Sequence, residues 1–285
     1  MKVLVLGAGG QLGQHLVRHF PDCVGLSRQQ LDLTRGDEVR IALESYRPQL
    51  VLNAAAYTAV DLAEDEREEA FSANAEGPGQ LAAACQRQGI PMVYFSTDYV
   101  FPGQGRAAWS EKDDCGPVNF YGESKRVGEE RTRQNCEQHF ILRVSWLFGA
   151  HGNNFVRTIL RLAAEREQLR IVSDQRGGPT WCGNLPEIVE SLVRSQRWGT
   201  YHYCDGPAVS WWEFACGIVE EARRLGWRLK VREVLPIAAE DFPTRAIRPV
   251  CSTLDCSKLR ALGILQNDWR LGLQHTLRQL KSTSG

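Results

Sequence analysis

At 285 residues the chain can bury a sizeable core, as one large α/β domain or two smaller ones, and 43% hydrophobic and 24% charged residues are ordinary globular proportions. Lys plus Arg (34) balances Asp plus Glu (34), which excludes the strong basic field that nucleic acid or an anionic membrane calls for and leaves a small molecule as the expected partner. The 9 Cys are scattered without a C-x-x-C pair, the 6 His show no H-E-x-x-H spacing, and no apolar stretch approaches the ~20 residues of a membrane span, so no disulfide framework, no metal site and a cytoplasmic location are expected.

The unbroken apolar run Val3 to Leu6 predicts a central parallel strand buried on both faces. Gly7-Ala8-Gly9-Gly10-Gln11-Leu12-Gly13 follows, then a helix predicted over 14–20 and ended by Pro21. Gly7, Gly10 and Gly13 give G-x-x-G-x-x-G between strand and helix. That context lets the backbone turn tightly and approach a pyrophosphate at a helix N-terminus, with Gln11 and Leu12 inside the same turn.

A second strand, Cys23 to Leu26, ends at Ser27-Arg28, where an NAD site usually carries an acidic residue for the ribose 2′-hydroxyl. A hydroxyl and a guanidinium suit a 2′-phosphate, so NADPH is the expected cofactor and NADH the alternative. Asp32 and Leu33 sit where an adenine is gripped, the carboxylate to its amine and the leucine to its face. A helix is predicted over 39–46 and a strand over 49–53. After that strand, the small side chains of Ala54-Ala55-Ala56, followed by Tyr57, let a ribose and nicotinamide lie close to the backbone.

Residues 61–69 (DLAEDEREE) read as the solvated face of a helix continuing to Gln88. A fourth strand over 91–95 runs into Ser96-Thr97-Asp98-Tyr99, at the strand end where reactive groups are expected. The polar loop 102–117 reads as substrate-facing. Tyr121 and Lys125 in Tyr121-Gly122-Glu123-Ser124-Lys125 then share one helical face, where an ammonium lowers the pKa of a phenol and Thr97 adds a hydroxyl to hold the reacting oxygen.

After a fifth strand over 140–144 the alternation loosens. A helix over 152–165, strands over 169–172 and 201–203, and a helix over 210–224 are predicted. The expected fold is α/β: a Rossmann-type doubly wound parallel sheet with a smaller C-terminal substrate-binding domain. The boundary is soft, 1–145 for the NADP-binding domain and 146–285 mainly for substrate, with some later segments returning to the first sheet.

The series Asn53 through Asp61, Ser96 through Phe101, Tyr121 through Lys125, Arg143 through Trp146, Gly152 through Phe155, Asp174-Gln175, Pro179-Thr180, Ser210 through Ala215 and Phe242 through Pro249 resembles the extended short-chain dehydrogenase/reductases, and more closely the dTDP-4-dehydrorhamnose reductases. The resemblance implies a nucleotide-sugar substrate whose C4 ketone is reduced by NADPH, in the synthesis of dTDP-L-rhamnose for cell-surface polysaccharides. It implies Tyr121 as proton donor, Lys125 on the nicotinamide ribose and Thr97 on the carbonyl oxygen. Val60, Asp98, Tyr99 and Trp146 would surround the sugar and nucleotide, Trp146 having a core position as its alternative. Arg245 and Arg248 would meet the diphosphate, with ion pairs as their alternative. Gln14-His15 stands where some relatives place a metal-binding glutamate at a dimer contact, so a monomer or weak homodimer is expected. Two other readings stay open. A dehydratase or epimerase of the same superfamily is disfavoured by Tyr99, where dehydratases carry a second carboxylate. A non-catalytic subunit resembling the β subunit of methionine adenosyltransferase is the other.

Overall fold

The computed structural model describes residues 1–105 and 108–283. Strand β1 (Val3–Leu6) is buried along its whole length because its side chains alternate between two cores. Val3 and Val5 join Leu50, Leu52, Val93, Phe140 and Leu142 on one face of the sheet, and Leu4 and Leu6 join Val51, Met92, Tyr94 and Ile141 on the other. Each such apolar side chain contributes about 1.5–3 kcal/mol relative to exposure, which fixes the register as well as the stability.

The elements follow as α1 (Gln11–His19), β2 (Cys23–Leu26), α2 (Gly36–Tyr46), β3 (Leu50–Asn53), α3 (Arg67–Phe71), a π-helical turn (Ser72–Glu76), α4 (Gly77–Gln88), β4 (Met92–Thr97), α5 (Phe120–Asn135) and β5 (His139–Val144). Helix α1 starts three residues before the predicted 14–20 span because Gly10 is its extended N-cap (φ −72°, ψ 168°) and Gly13 lies inside it. The predicted helix from 61 to 88 is broken. A 3₁₀ turn, Leu62–Glu64, precedes α3, and the π turn separates α3 from α4.

The chain continues through β6 (Leu147–Phe148), α6 (Phe155–Glu165), β7 (Gln168–Val172), β8 (Arg176–Gly177), β9 (Thr180–Trp181), α7 (Leu185–Ser195), β10 (Gly199–Tyr203), β11 (Val209–Ser210), α8 (Trp211–Arg224), β12 (Glu233–Ile237), α9 (Ser257–Arg260) and α10 (Trp269–Thr283). The main sheet has order β10-β5-β4-β3-β1-β2, all parallel, so β10 returns from the C-terminal half to pair with β5. The remaining segments build a third core between α6, α8 and α10, around Ile159, Phe214, Ile218, Trp269 and Leu273.

The loop over 102–117, apart from 106–107, which lie outside the described residues, does not face the large cleft. Trp109 stacks on Phe101 with ring centroids 5.0 Å apart, donates its indole N–H to Cys251 O (2.9 Å), and exchanges backbone hydrogen bonds with Thr253 and Asp255. Burying the indole is worth more than leaving the loop open, so the loop becomes a floor for 251–255.

Candidate active site

The carboxyl ends of the sheet strands open onto two neighbouring clefts. The smaller, about 330 Å³, is lined by Gly7 and Gly10, Ser27 and Arg28, Asp32 and Leu33, and Ala54, Ala55, Ala56 and Tyr57. Sequence segments 20 to 50 residues apart meet there because β1, β2 and β3 lie side by side. A Cβ on Gly7, whose φ is +77°, would come 2.6 Å from Ala55 N, and one on Gly13 would come 2.1 Å from Gly7 O. Only glycine permits this closeness of strand, turn and helix. The cradle fits a dinucleotide: its helix N-terminus suits a phosphate, and Arg28, exposed beside Ser27, suits a 2′-phosphate. Leu12 departs from the expectation, since its side chain is 5% exposed and packs in the core, leaving only its backbone to meet a ligand. Gln11 turns to the other cleft and bonds Leu147 O and Asn154. Asp32 already accepts from the Thr34 N–H and hydroxyl at 3.0 and 2.9 Å.

The larger cleft, about 1030 Å³, is lined by Val60, Thr97, Asp98, Tyr99, Tyr121, Trp146 and Arg248 among others. Asn119 caps α5, its Oδ1 accepting from Gly122 N at 2.8 Å, so Tyr121 stands on the first turn of the helix. The Tyr121 ring meets Tyr99 edge to face at 6.0 Å. Burial pushes its phenol up to about 12, while a hydrogen bond with Thr97 pulls the other way. The expected lowering by Lys125 is not found. Lys125 is 2% exposed and gives its Nζ to Phe95 O at 2.7 Å, over the Tyr94 ring at 4.0 Å. Burial lowers its ammonium to about 7, against the pull of Glu129. Asp98, 2% exposed, is raised to about 7 by burial, which outweighs its hydrogen bond from the Thr97 hydroxyl (3.1 Å).

Trp146 takes both expected positions, lining the cleft while stacking on Trp211 at 3.4 Å with planes 6° apart. Arg248 gives both guanidinium ends to Asp61, at 2.7 and 3.0 Å, and Arg245 pairs with Asp65. These are the ion-pair alternatives, and Arg245 does not line the cleft. The acidic run is therefore more than a solvated face. Asp61 and Asp65 hold the 245–248 segment, Glu64 accepts from Phe120 N at 2.8 Å, and Glu66 accepts from the Tyr57 hydroxyl at 2.6 Å.

Two buried residues, Asn74 and Glu129, escape the sequence reading. Asn74, in the π turn, bonds both the N–H and the C=O of Tyr57 (2.9 and 3.0 Å) and Ser124 Oγ, tying the cofactor strand end to α5. Glu129 accepts from Arg143 at 2.8 and 2.7 Å and from Ser96 at 2.6 Å beneath the site; burial pushes its carboxyl up, yet these partners hold it below the usual range. An acidic residue one turn after Lys125 was the available sign of Glu129; only the break in the helix shows the role of Asn74.

A family model described as RmlD substrate binding domain matches residues 1–282. A protein of Aggregatibacter actinomycetemcomitans named dTDP-4-dehydrorhamnose reductase is 40% identical over 286 residues, covering 96% of this chain and 97% of that one. The crystal structure of dTDP-4-dehydrorhamnose reductase from Bacillus anthracis in complex with NADP has a TM-score of 0.92 at 38% identity, covering 98% of this chain and 100% of that one. An ortholog structure from Clostridium acetobutylicum has a TM-score of 0.94 at 33% identity, covering 99% and 100%. With matches of this extent across both clefts, the chain belongs to the dTDP-4-dehydrorhamnose reductase family.

Proposed function

We propose that this protein is an NADPH-dependent reductase of the C4 ketone of dTDP-4-dehydro-L-rhamnose, yielding dTDP-L-rhamnose. The observation that carries the reading is the convergence of Thr97, Tyr121 and Trp146 on one large cleft beside a glycine cradle that fits a dinucleotide. When bound, NADPH supplies the hydride to C4. Tyr121 gives its phenolic proton to the C4 oxygen, and a phenol held up to about 12 keeps that proton throughout the neutral range. Thr97 steadies the same oxygen, its hydroxyl already sharing a hydrogen bond with the phenol. Lys125 turns from Phe95 O to the nicotinamide ribose and stabilises the phenolate left behind.

Gly7, Gly10, Gln11, Leu12 and Gly13 with Ala54–Tyr57 hold the dinucleotide, Ser27 and Arg28 its 2′-phosphate, and Asp32 and Leu33 its adenine. Val60, Asp98, Tyr99, Trp146 and Arg248 serve the nucleotide sugar, Arg248 facing the diphosphate from its anchorage on Asp61, while Arg245 keeps its ion pair with Asp65 outside the cleft. Residues 1–145 act as the NADP-binding part and 146–285 mainly as the substrate part. The cytoplasm is the proposed compartment, and a monomer or weak homodimer the proposed state. The test mixes purified protein with dTDP-4-dehydrorhamnose and NADPH and follows cofactor absorbance. Turnover is expected; tight NADPH binding with no turnover would overturn the reading in favour of a non-catalytic role.

A further inference from the structure

An N-cap needs only an oxygen, and Ser, Thr or Asp supplies one as well as Asn does. Helix α5 is capped by Asn119, which is 7% exposed, and the second half of its amide has work elsewhere. Asn119 Nδ2 donates to Ile247 O at 2.8 Å, across 128 residues of chain. One side chain thus caps the helix bearing Tyr121 and grips the segment that carries Arg248.

That segment is fastened along its inner edge by backbone and polar bonds. Asp61 Oδ1 accepts from Ala246 N (3.1 Å), the Asp61 carboxylate takes both ends of Arg248, and Thr244 Oγ1 donates to Ala246 O at 2.9 Å. Its apolar side chains are left out: Phe242 is 57% and Ile247 68% exposed, and both line the large cleft with Thr244 and Arg248. The backbone is held while the ligand-facing side chains wait uncovered. The helix head is equally pinned, since a Cβ on Gly122 would come 2.2 Å from Tyr99 O and Glu64 accepts from Phe120 N. The bank that holds the ligand and the phenol that serves it are therefore referenced to the same amide.

We infer that Asn119 is a positioning residue that fixes the strap at 244–248 against the head of the Tyr121 helix, so that nucleotide-sugar affinity and alignment with Tyr121 depend on one side chain. This rests on the reductase reading above, in taking the cleft's ligand to be a nucleotide sugar.

Asn119→Ser and Asn119→Asp both keep a capping oxygen for Gly122 N and both remove the donor to Ile247 O. Each is expected to raise KM for dTDP-4-dehydrorhamnose about three- to tenfold, the worth of one hydrogen bond. Neither should change the dissociation constant of NADPH. Hydrogen exchange should speed at 244–250 while α5 stays protected. Asp61→Asn loosens the strap from the opposite bank without touching the cap, and should raise KM in the same direction even where an Asn119 variant folds poorly. Wild-type KM in Asp61→Asn, or unchanged exchange at 244–250 in a folded Asn119 variant, would overturn the inference. A wild-type protein with no turnover sinks the reductase reading instead, and exchange still reads the strap in that case.

Discussion

Trp146 and Trp211 lie face to face, 3.4 Å between ring centroids, although Trp146 has the left-handed backbone conformation (φ 47°) that side chains beyond Cβ rarely take. The strain is held because the turn after β5 must swing the indole over the cleft, and the stack with Trp211 and the bare backbone of Gly177 receive it. A Cβ on Gly177 would stand 2.5 Å from Trp146 Cε2. Gly177→Ala should therefore displace the indole, costing about 1–3 kcal/mol of stability and raising KM for the nucleotide sugar. Denaturant titration and steady-state kinetics check this, and wild-type values in both would contradict it.

Tyr121→Phe removes the proton donor and its hydrogen bond with Thr97, while the ring keeps its edge contact with Tyr99. A fall in kcat of ~10²-fold or more is expected, with NADPH affinity nearly kept. Near-normal turnover would refute the role.

Asp98 sets a pH dependence on stability. Its folded pKa of about 7 lies above the ordinary 3.8 because the carboxyl is buried, so between these values the folded state binds the extra proton. The stability that this group contributes is whole below about pH 4 and is lost as pH rises through about 7. Asp98→Asn should gain on the native protein as pH rises across that window and level off above it. Melting curves at several pH values measure the difference; a constant offset from acid to neutral pH would rule the account out.

Arg28 lines the smaller cleft beside Ser27, just past the end of β2. Arg28→Asp exchanges a partner for the 2′-phosphate for a repelling charge. The ratio of kcat/KM for NADPH over NADH should fall by about tenfold or more, as charge-assisted bonds are worth ~1.5–3 kcal/mol. An unchanged ratio counts against this assignment.

The sequence by itself determined what depends on local pattern and on spacing within one strand-turn-helix unit. Val3 to Leu6 had to be a buried strand, Gly7, Gly10 and Gly13 a cradle, and Tyr121 and Lys125 neighbours on one helical face, since period and glycine spacing carry that information directly. Tertiary structure decided what rests on desolvation and distant partners. Burial moves the Tyr121 phenol up and the Lys125 ammonium down, opposite to the mutual effect expected from their spacing, because the cost of charge in the interior outweighs a neighbour that is turned to Phe95 O. Asp61 finds Arg248, and Asn119 finds Ile247 O, only when segments more than 120 residues apart are brought to the same strand ends. No local periodicity encodes such a meeting, since it is fixed by the order in which the parallel strands stack and by the third core that brings the later segments back to the sheet.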